Sequence, residues 1–175
     1  VNLFYLLMKR RLAGSINGTH EVFTMETYSL KENELITGIS ILAVLRHTQQ
    51  LELSKCILIE PLLSYSQVLR ALKRSNSSIK SMEDLILKQS IPFANFNNRF
   101  QEKLLLSMNS LILFEKLGLI SIEKGIVYFN AYDFNFADTS LGEAAADRIS
   151  ASGKLADIML KGDASDFYLS LRVQI

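Results

Sequence analysis

The stretch from Asn95 to Asn130, NFNNRFQEKLLLSMNSLILFEKLGLISIEKGIVYFN, is the strongest constraint on what this chain can become. Phe100, Leu104, Met108 and Leu111 follow one helical row, and Leu105, Ile112 and Leu119 follow its neighbour. Leu106, Leu113, Phe114 and Leu117 widen the apolar stripe over most of the circumference. A helix apolar nearly all round is buried or meets a partner on its second face. Gly118 predicts the helix stop, because glycine takes the left-handed C′ conformation without a Cβ clash. Ile120 and Ile122 then alternate with Leu119 and Ser121, and Glu123-Lys124-Gly125 supplies a short turn with glycine at its end. Ile126 to Phe129 is β-branched and aromatic, which favours a second strand. A long helix followed by a hairpin is the outline of a winged-helix unit.

Winged helices often read DNA, and they do so with Arg, Lys, Asn or Gln on the exposed helix face. Here the exposed candidates are Asn98, Arg99, Gln101, Glu102, Lys103, Ser107 and Asn109, and the basic ones sit only at the start. The wing tip sets Glu123 beside Lys124, so its charge cancels. Protein docking fits this helix better than base reading does. A DNA-contacting surface would have to draw on Arg70, Lys73, Arg74, Arg99 and Lys103.

The chain has 175 residues, enough for one domain or two small ones sharing a core. Its 49% hydrophobic content supports a sizeable core and is high for a free-standing domain. A net charge of +1 argues against a surface built mainly to hold nucleic acid or anionic lipid. Cys56 is the single cysteine, so no internal disulfide forms, and its setting in Cys56-Ile57-Leu58-Ile59 predicts a core position. The N-terminal apolar run precedes Lys9-Arg10-Arg11, which reverses the order of a signal peptide, and it is too short to span a bilayer. The expected compartment is the cytoplasm, with no membrane partner. Residues 1–24 read as a leader of uncertain status, with Gly14 to Thr24 as a linker and Met25 as an alternative start.

Residues 25–94 form the N-terminal helical part. A capping box at Ser29…Glu32, or alternatively Asn33, precedes a helix over residues 34–48, ELITGISILAVLRHT. It is again apolar nearly all round, and Gly38 inside it costs about 1 kcal/mol against alanine, which a close helix–helix approach would explain, among other accounts. His47 at its end suits the helix dipole, and no cluster of ligands surrounds it in sequence. Residues 53–74 are helical with a break near Pro61, where a second piece can start. Leu62, Tyr65, Leu69 and Leu72 mark the inner face of that piece. A short helix follows Ser81 and ends at Ser90-Ile91-Pro92. The winged-helix unit covers residues 95–138, and its last part, AYDFNFAD, either extends the second strand or lies across the core as a loop. Residues 139–175 form the C-terminal helical part. A capping box Ser140…Glu143 opens an alanine-rich helix to about Leu160, and Gly162 stops it. A short element, DASDFYLSLRV, starts like a capped helix and docks through Phe167, Tyr168 and Leu171, either on its own domain or on a partner. The fold class is mainly α (α+β), the parts sharing one core.

No glycine-rich phosphate loop, HExxH, CxxC or GxSxG occurs, and no repeat is visible. No catalytic, cofactor-binding or metal-binding residue can be named from these residues.

The order of elements resembles the middle component of bacterial ABC three-component systems, which include the Lamassu-type anti-phage defences. The resemblance covers Tyr28 to Ile175 and rests on four patterns. These are the apolar helix ELITGISILAVL, the run Ile59-Glu60-Pro61-Leu62-Leu63 followed by Leu69-Arg70-Ala71-Leu72, the helix and wing, and the tail. In the tail, Lys154-Leu155-Ala156 and Phe167 to Val173 follow the family's "kLg" and "iY.lLgV" steps loosely. Two departures mark a divergent member. The family's Asn-Pro beside the first helix is replaced by Lys31-Glu32-Asn33-Glu34, and its glycine before the final valine is Arg172. The resemblance implies a non-catalytic bridging subunit. It would join an ATPase resembling structural-maintenance-of-chromosomes (SMC) proteins to an effector, often a nuclease, and would meet DNA only through that complex. The partner-facing residues expected from the apolar helix and the tail are Leu106, Leu113, Phe167, Tyr168 and Leu171.

Overall fold

The computed structural model describes residues 33–74, 76 and 78–174. The leader, the linker and the Ser29…Glu32 capping box lie outside them. Asn33 is the cap that forms. Its side-chain oxygen accepts from the backbone N–H of Leu35 at 3.1 Å and of Ile36 at 2.9 Å, opening helix α1, Glu34–Thr48. Gln49 leaves α1 in a positive-φ conformation, and strand β1, Gln50–Glu52, follows at once. Helix α2 spans Leu53–Leu63 and α3 spans Ser66–Lys73. Pro61 therefore does not break the chain but sits inside the last turn of α2, and the break falls at Ser64-Tyr65. A proline there removes the hydrogen bond that residue 61 would donate to the Ile57 carbonyl and crowds that carbonyl, yet the helix continues for two more residues.

Helix α4, Met82–Lys88, is capped by Ser81, whose Oγ accepts from Asp84 N at 3.2 Å. A single turn, α5, Ser90–Phe93, continues past the expected end, with Pro92 buried. Helix α6, Phe96–Lys116, then runs into the hairpin of β2, Ile120–Glu123, and β3, Ile126–Phe129. Gly118 has φ 69°, and the bonds Gly118 N→Glu115 O at 2.8 Å and Leu119 N→Phe114 O at 3.0 Å make the Schellman stop. Lys124 and Gly125 both have positive φ, as a two-residue hairpin turn requires.

β1 pairs antiparallel with β3 on the edge opposite β2, giving the sheet order β1-β3-β2. Leu51 stands across from Val127, and Val127 across from Ile122, so one apolar row crosses all three strands. Helix, short strand, helices, long helix and wing complete the winged-helix unit, with α6 in the reader position. The segment after β3 is a loop, not a strand extension. Phe136 stacks on Phe129 at 6.5 Å and meets Phe134 edge-on at 4.8 Å, with the Arg46 guanidinium 4.8 Å from its ring.

The C-terminal part departs from the expected capping box. Asp138 accepts from Ser140 N at 2.8 Å and caps a 3₁₀ turn, Thr139–Leu141. Helix α7, Glu143–Met159, starts behind Gly142 at φ 86° with no side-chain cap. Ser140 is thus inside the preceding turn, two positions too early to cap α7. Gly162 lies where a Cβ would come 2.6 Å from the Phe167 ring, so it makes room for helix α8, Ala164–Ser170. α8 ends in a second Schellman pattern, Arg172 N→Leu169 O at 3.0 Å and Val173 N→Tyr168 O at 2.9 Å, with Arg172 at φ 54°.

α1 is the axle. It packs on α7 along one side and on α6 along the other. Every residue from Ile36 to Leu45 is buried, which is why the helix has no polar face. Gly38 meets the Phe114 ring directly, since a Cβ there would stand 1.9 Å from Phe114 Cε2. Across the other side, Arg148 of α7 forms a buried two-pronged pair with Glu60 of α2, through Nη1 to Oε2 and Nη2 to Oε1 at 3.1 Å. Ser40 of α1 also accepts from Arg148 Nη1 at 3.3 Å and donates to Ile36 O at 2.7 Å. One charge pair thereby ties three helices together. One apolar cluster contains residues from α1, α2, the wing, α6, α7 and α8.

Candidate interaction surface

α6 turns Phe96, Phe100, Ser107, Ser110, Leu111 and Phe114 inward. Ser107 and Ser110 are small, which lets α1 and its Gly38 come close. The opposite side carries Leu105, 69% exposed, Met108, 49%, and Ile112, 47%. Their spacing of three and four residues makes one straight stripe on the helix surface. Glu102, Asn109 and Lys116, all exposed, form a parallel row seven residues apart along the edge of that stripe. This is the side on which a DNA reader would carry its basic residues.

A second set of exposed apolar side chains lies elsewhere. Leu87 of α4 is 78% exposed, Ile91 of α5 75%, and Leu169 of α8 77%. α4 packs against both α5 and α8, so the three lie on adjoining elements.

The partner-facing residues named from the sequence are placed differently. Phe167 and Leu171 are buried in the chain's own core and are not presented on the surface. Tyr168 is half-buried, stacks edge-on against Phe100 at 5.7 Å, and donates its hydroxyl to Ser54 O at 2.9 Å. Burial pushes its phenol up to about 12. Leu106 and Leu113 are half-buried, with Leu113 packed against the core. The surface stripe is rotated about 100° from them, one residue along the helix.

Of the basic residues named for DNA, Arg99 is engaged within the fold, whereas Arg70 and Lys73 of α3 and Arg74 just after it are exposed. Arg99 donates through Nε to Pro61 O at 2.9 Å and through Nη2 to Pro92 O at 2.7 Å. Its guanidinium also lies 4.6 Å from the Tyr65 ring and 5.3 Å from Phe96, and burial lowers its pKa. It therefore joins the end of α2 to the start of α6. Lys73 pairs with Asp147 of α7. Arg70 bonds Ser66 O in its own helix at 3.2 Å, and Lys103 is half-buried. Arg74 is exposed on the rim of an open cleft of about 530 Å³ that also touches Ser78, Lys88 and Gln89. Lys88 in that cleft donates to both Ser78 O and Ser78 Oγ at 2.9 Å. The structure does not bring Lys73, Arg74, Arg99 and Lys103 together as a free basic face.

Cys56 is fully buried, and burial raises its thiol pKa. His47 is exposed and lies beside Gly153. Among the described residues no cluster of His, Cys, Asp and Glu could hold a metal ion. Among them, too, no helix is long and apolar enough to cross a membrane. Comparison with known proteins finds no matching family model, no matching curated protein and no matching solved structure.

Two features were not named from the sequence. The Glu60–Arg148 pair joins residues 88 positions apart, and its only local trace is a carboxylate inside CILIEPLL. The outward stripe could have been found from Ser107 and Ser110, whose small size marks the close-packed side of α6.

Proposed function

We propose that this chain is a non-catalytic bridging subunit of a bacterial defence complex, linking an SMC-like ABC ATPase to an effector, often a nuclease, in the cytoplasm. The observation that carries the reading is the exposed Leu105–Met108–Ile112 stripe on the helix that would otherwise read DNA. An apolar stripe there loses free energy in water and gains it against another protein. A second apolar set at Leu87, Ile91 and Leu169 supplies a separate docking face. The engagement of Arg99 inside the fold, and its separation from the exposed Lys73, favour contact with DNA through the complex over direct binding. The resemblance of the element order to the ABC three-component middle component names the partners. Its glycine step before the final valine falls at Arg172, whose backbone is left-handed, a conformation that glycine adopts freely.

The test is co-expression with the products of the flanking genes, followed by affinity purification and mass analysis. A stable complex with a large ATPase is expected, and Leu87→Asp with Leu169→Asp should release one partner while the chain stays folded. Recovery of the chain alone, together with steeply salt-dependent binding to duplex DNA, would replace this reading with a winged-helix DNA-binding regulator.

A further inference from the structure

The stripe on α6 has a property that selects its occupant. The edge row reads Glu102, Asn109, Lys116, so its charge runs from negative to positive along the helix. A two-fold axis perpendicular to the helix and level with Asn109 reverses the row in a second molecule. Glu102 then faces the partner's Lys116, Lys116 faces the partner's Glu102, and Asn109 faces the partner's Asn109. The same operation interleaves Leu105, Met108 and Ile112 with their copies, because the stripe spans about two turns around that level. A parallel pair gives no such match, since it sets the charged row against the Leu104–Leu111 edge. Isologous contacts need a surface complementary to itself, and this one is.

From this charge complementarity and the apolar stripe between the charges, we infer that the α6 face docks a second copy of this chain, the two α6 helices running antiparallel. The inference names the occupant of the face read above as protein-docking and rests on that reading, but not on the identity of the ATPase. The contact is short. Three apolar side chains and two edge pairs fall below the area of a permanent dimer, so the dimer is reversible, with a Kd on the order of micromolar. The set at Leu87, Ile91 and Leu169 stays outside the pair and is left for other partners.

Sedimentation equilibrium of the full chain tests this. A concentration-dependent monomer–dimer equilibrium is expected. Leu105→Ser with Ile112→Ser abolishes it while the far-UV circular dichroism and melting transition stay in place. Glu102→Lys or Lys116→Glu alone weakens association about tenfold, because each change turns two symmetric attractions into repulsions. The double reversal Glu102→Lys with Lys116→Glu restores it. A monomer up to about a hundred times the expected Kd would overturn the proposal, as would a dimer indifferent to the charge reversals. A Leu105/Ile112 variant that loses the ATPase instead of the dimer would overturn it as well. A dimer of the expected kind that ignores the ATPase leaves this inference standing and removes the bridging function. An ATPase-bound monomer does the reverse.

Discussion

Helix α1 is covered on every side from Ile36 to Leu45, whereas α6 leaves Leu105, Met108 and Ile112 in water. α1 has no polar face, and on α6 the three apolar side chains lie among exposed Gln101, Glu102, Asn109, Glu115 and Lys116. The difference is position. α1 lies between α6 and α7, with α2 also against it, so each of its faces has a neighbour. α6 has α1 and α2 on its inner side only, and its outer side is the rim of the molecule. An apolar circumference on a helix means that two faces are occupied. The neighbours decide whether the second occupant comes from the same chain or from another.

That contrast can be broken by mutation, and the largest effect is expected where α1 is held. Glu60→Ala leaves the Arg148 guanidinium buried without a counter-charge and should cost about 3–5 kcal/mol in urea unfolding. Replacing both Glu60 and Arg148 by Met should recover most of that. A loss under about 1 kcal/mol for the single change would show that the α1 sandwich does not depend on the pair. Gly38→Ala comes next. Its Cβ meets Phe114 at 1.9 Å, and overpacking of this kind costs about 1–3 kcal/mol. Phe114→Leu in the same molecule should return part of the stability, and no return would mean that α1 and α6 do not meet there.

Tyr168 probes the inner side of α6 through its contact with Phe100. Its phenol is pushed up from 10.0 to about 12, so the fold favours the neutral form. The stability tied to this group is present below the unfolded value and is lost as pH rises through the folded one. Denaturation midpoints should therefore fall between pH 10 and pH 12, and less steeply in Tyr168→Phe. An identical slope in the variant would remove Tyr168 from the account. The smallest effect belongs to the outer side. Ile112→Ser should change stability by about 0.5 kcal/mol or less, since the side chain is already half in water. The equivalent change at Ile41 of α1, 1% exposed, should cost several times more. Equal costs would erase the distinction between the two helices.

The regular elements were legible because their signals are local. Asn33, Gly118 and the Lys124-Gly125 turn fix ends by backbone chemistry that four or five residues reveal. Gly38 was legible too, as a helix glycine with a close neighbour. β1 was not, since three residues with one apolar side chain carry no periodicity, and only pairing with β3 makes them a strand. Pro61 misled because a proline can cost a helix one hydrogen bond without ending it. The Ser140…Glu143 pattern misled because Asp138 caps the preceding turn first. The rotation of α6 was the costly miss. Leu106 and Leu113 are as apolar as Leu105 and Ile112, and the choice between them is made by α1, which lies far away in sequence. Phe167 and Leu171 look like docking residues for the same reason. Apolarity says that they are covered, not by what.

The Glu60–Arg148 pair also sets a timetable. Arg148 follows Glu60 by 88 residues, which a ribosome adds in roughly 4 to 18 seconds. Throughout that interval the carboxylate has no guanidinium, and the α7 side of α1 has no cover. The wing and α6 are complete before α7 exists, yet they cannot close the core by themselves. The nascent chain therefore presents an almost wholly apolar helix to the cell for seconds, and the last fifth of the sequence arrives as a bolt, not as an appendage. Cutting the chain after the wing would not yield a smaller folded protein.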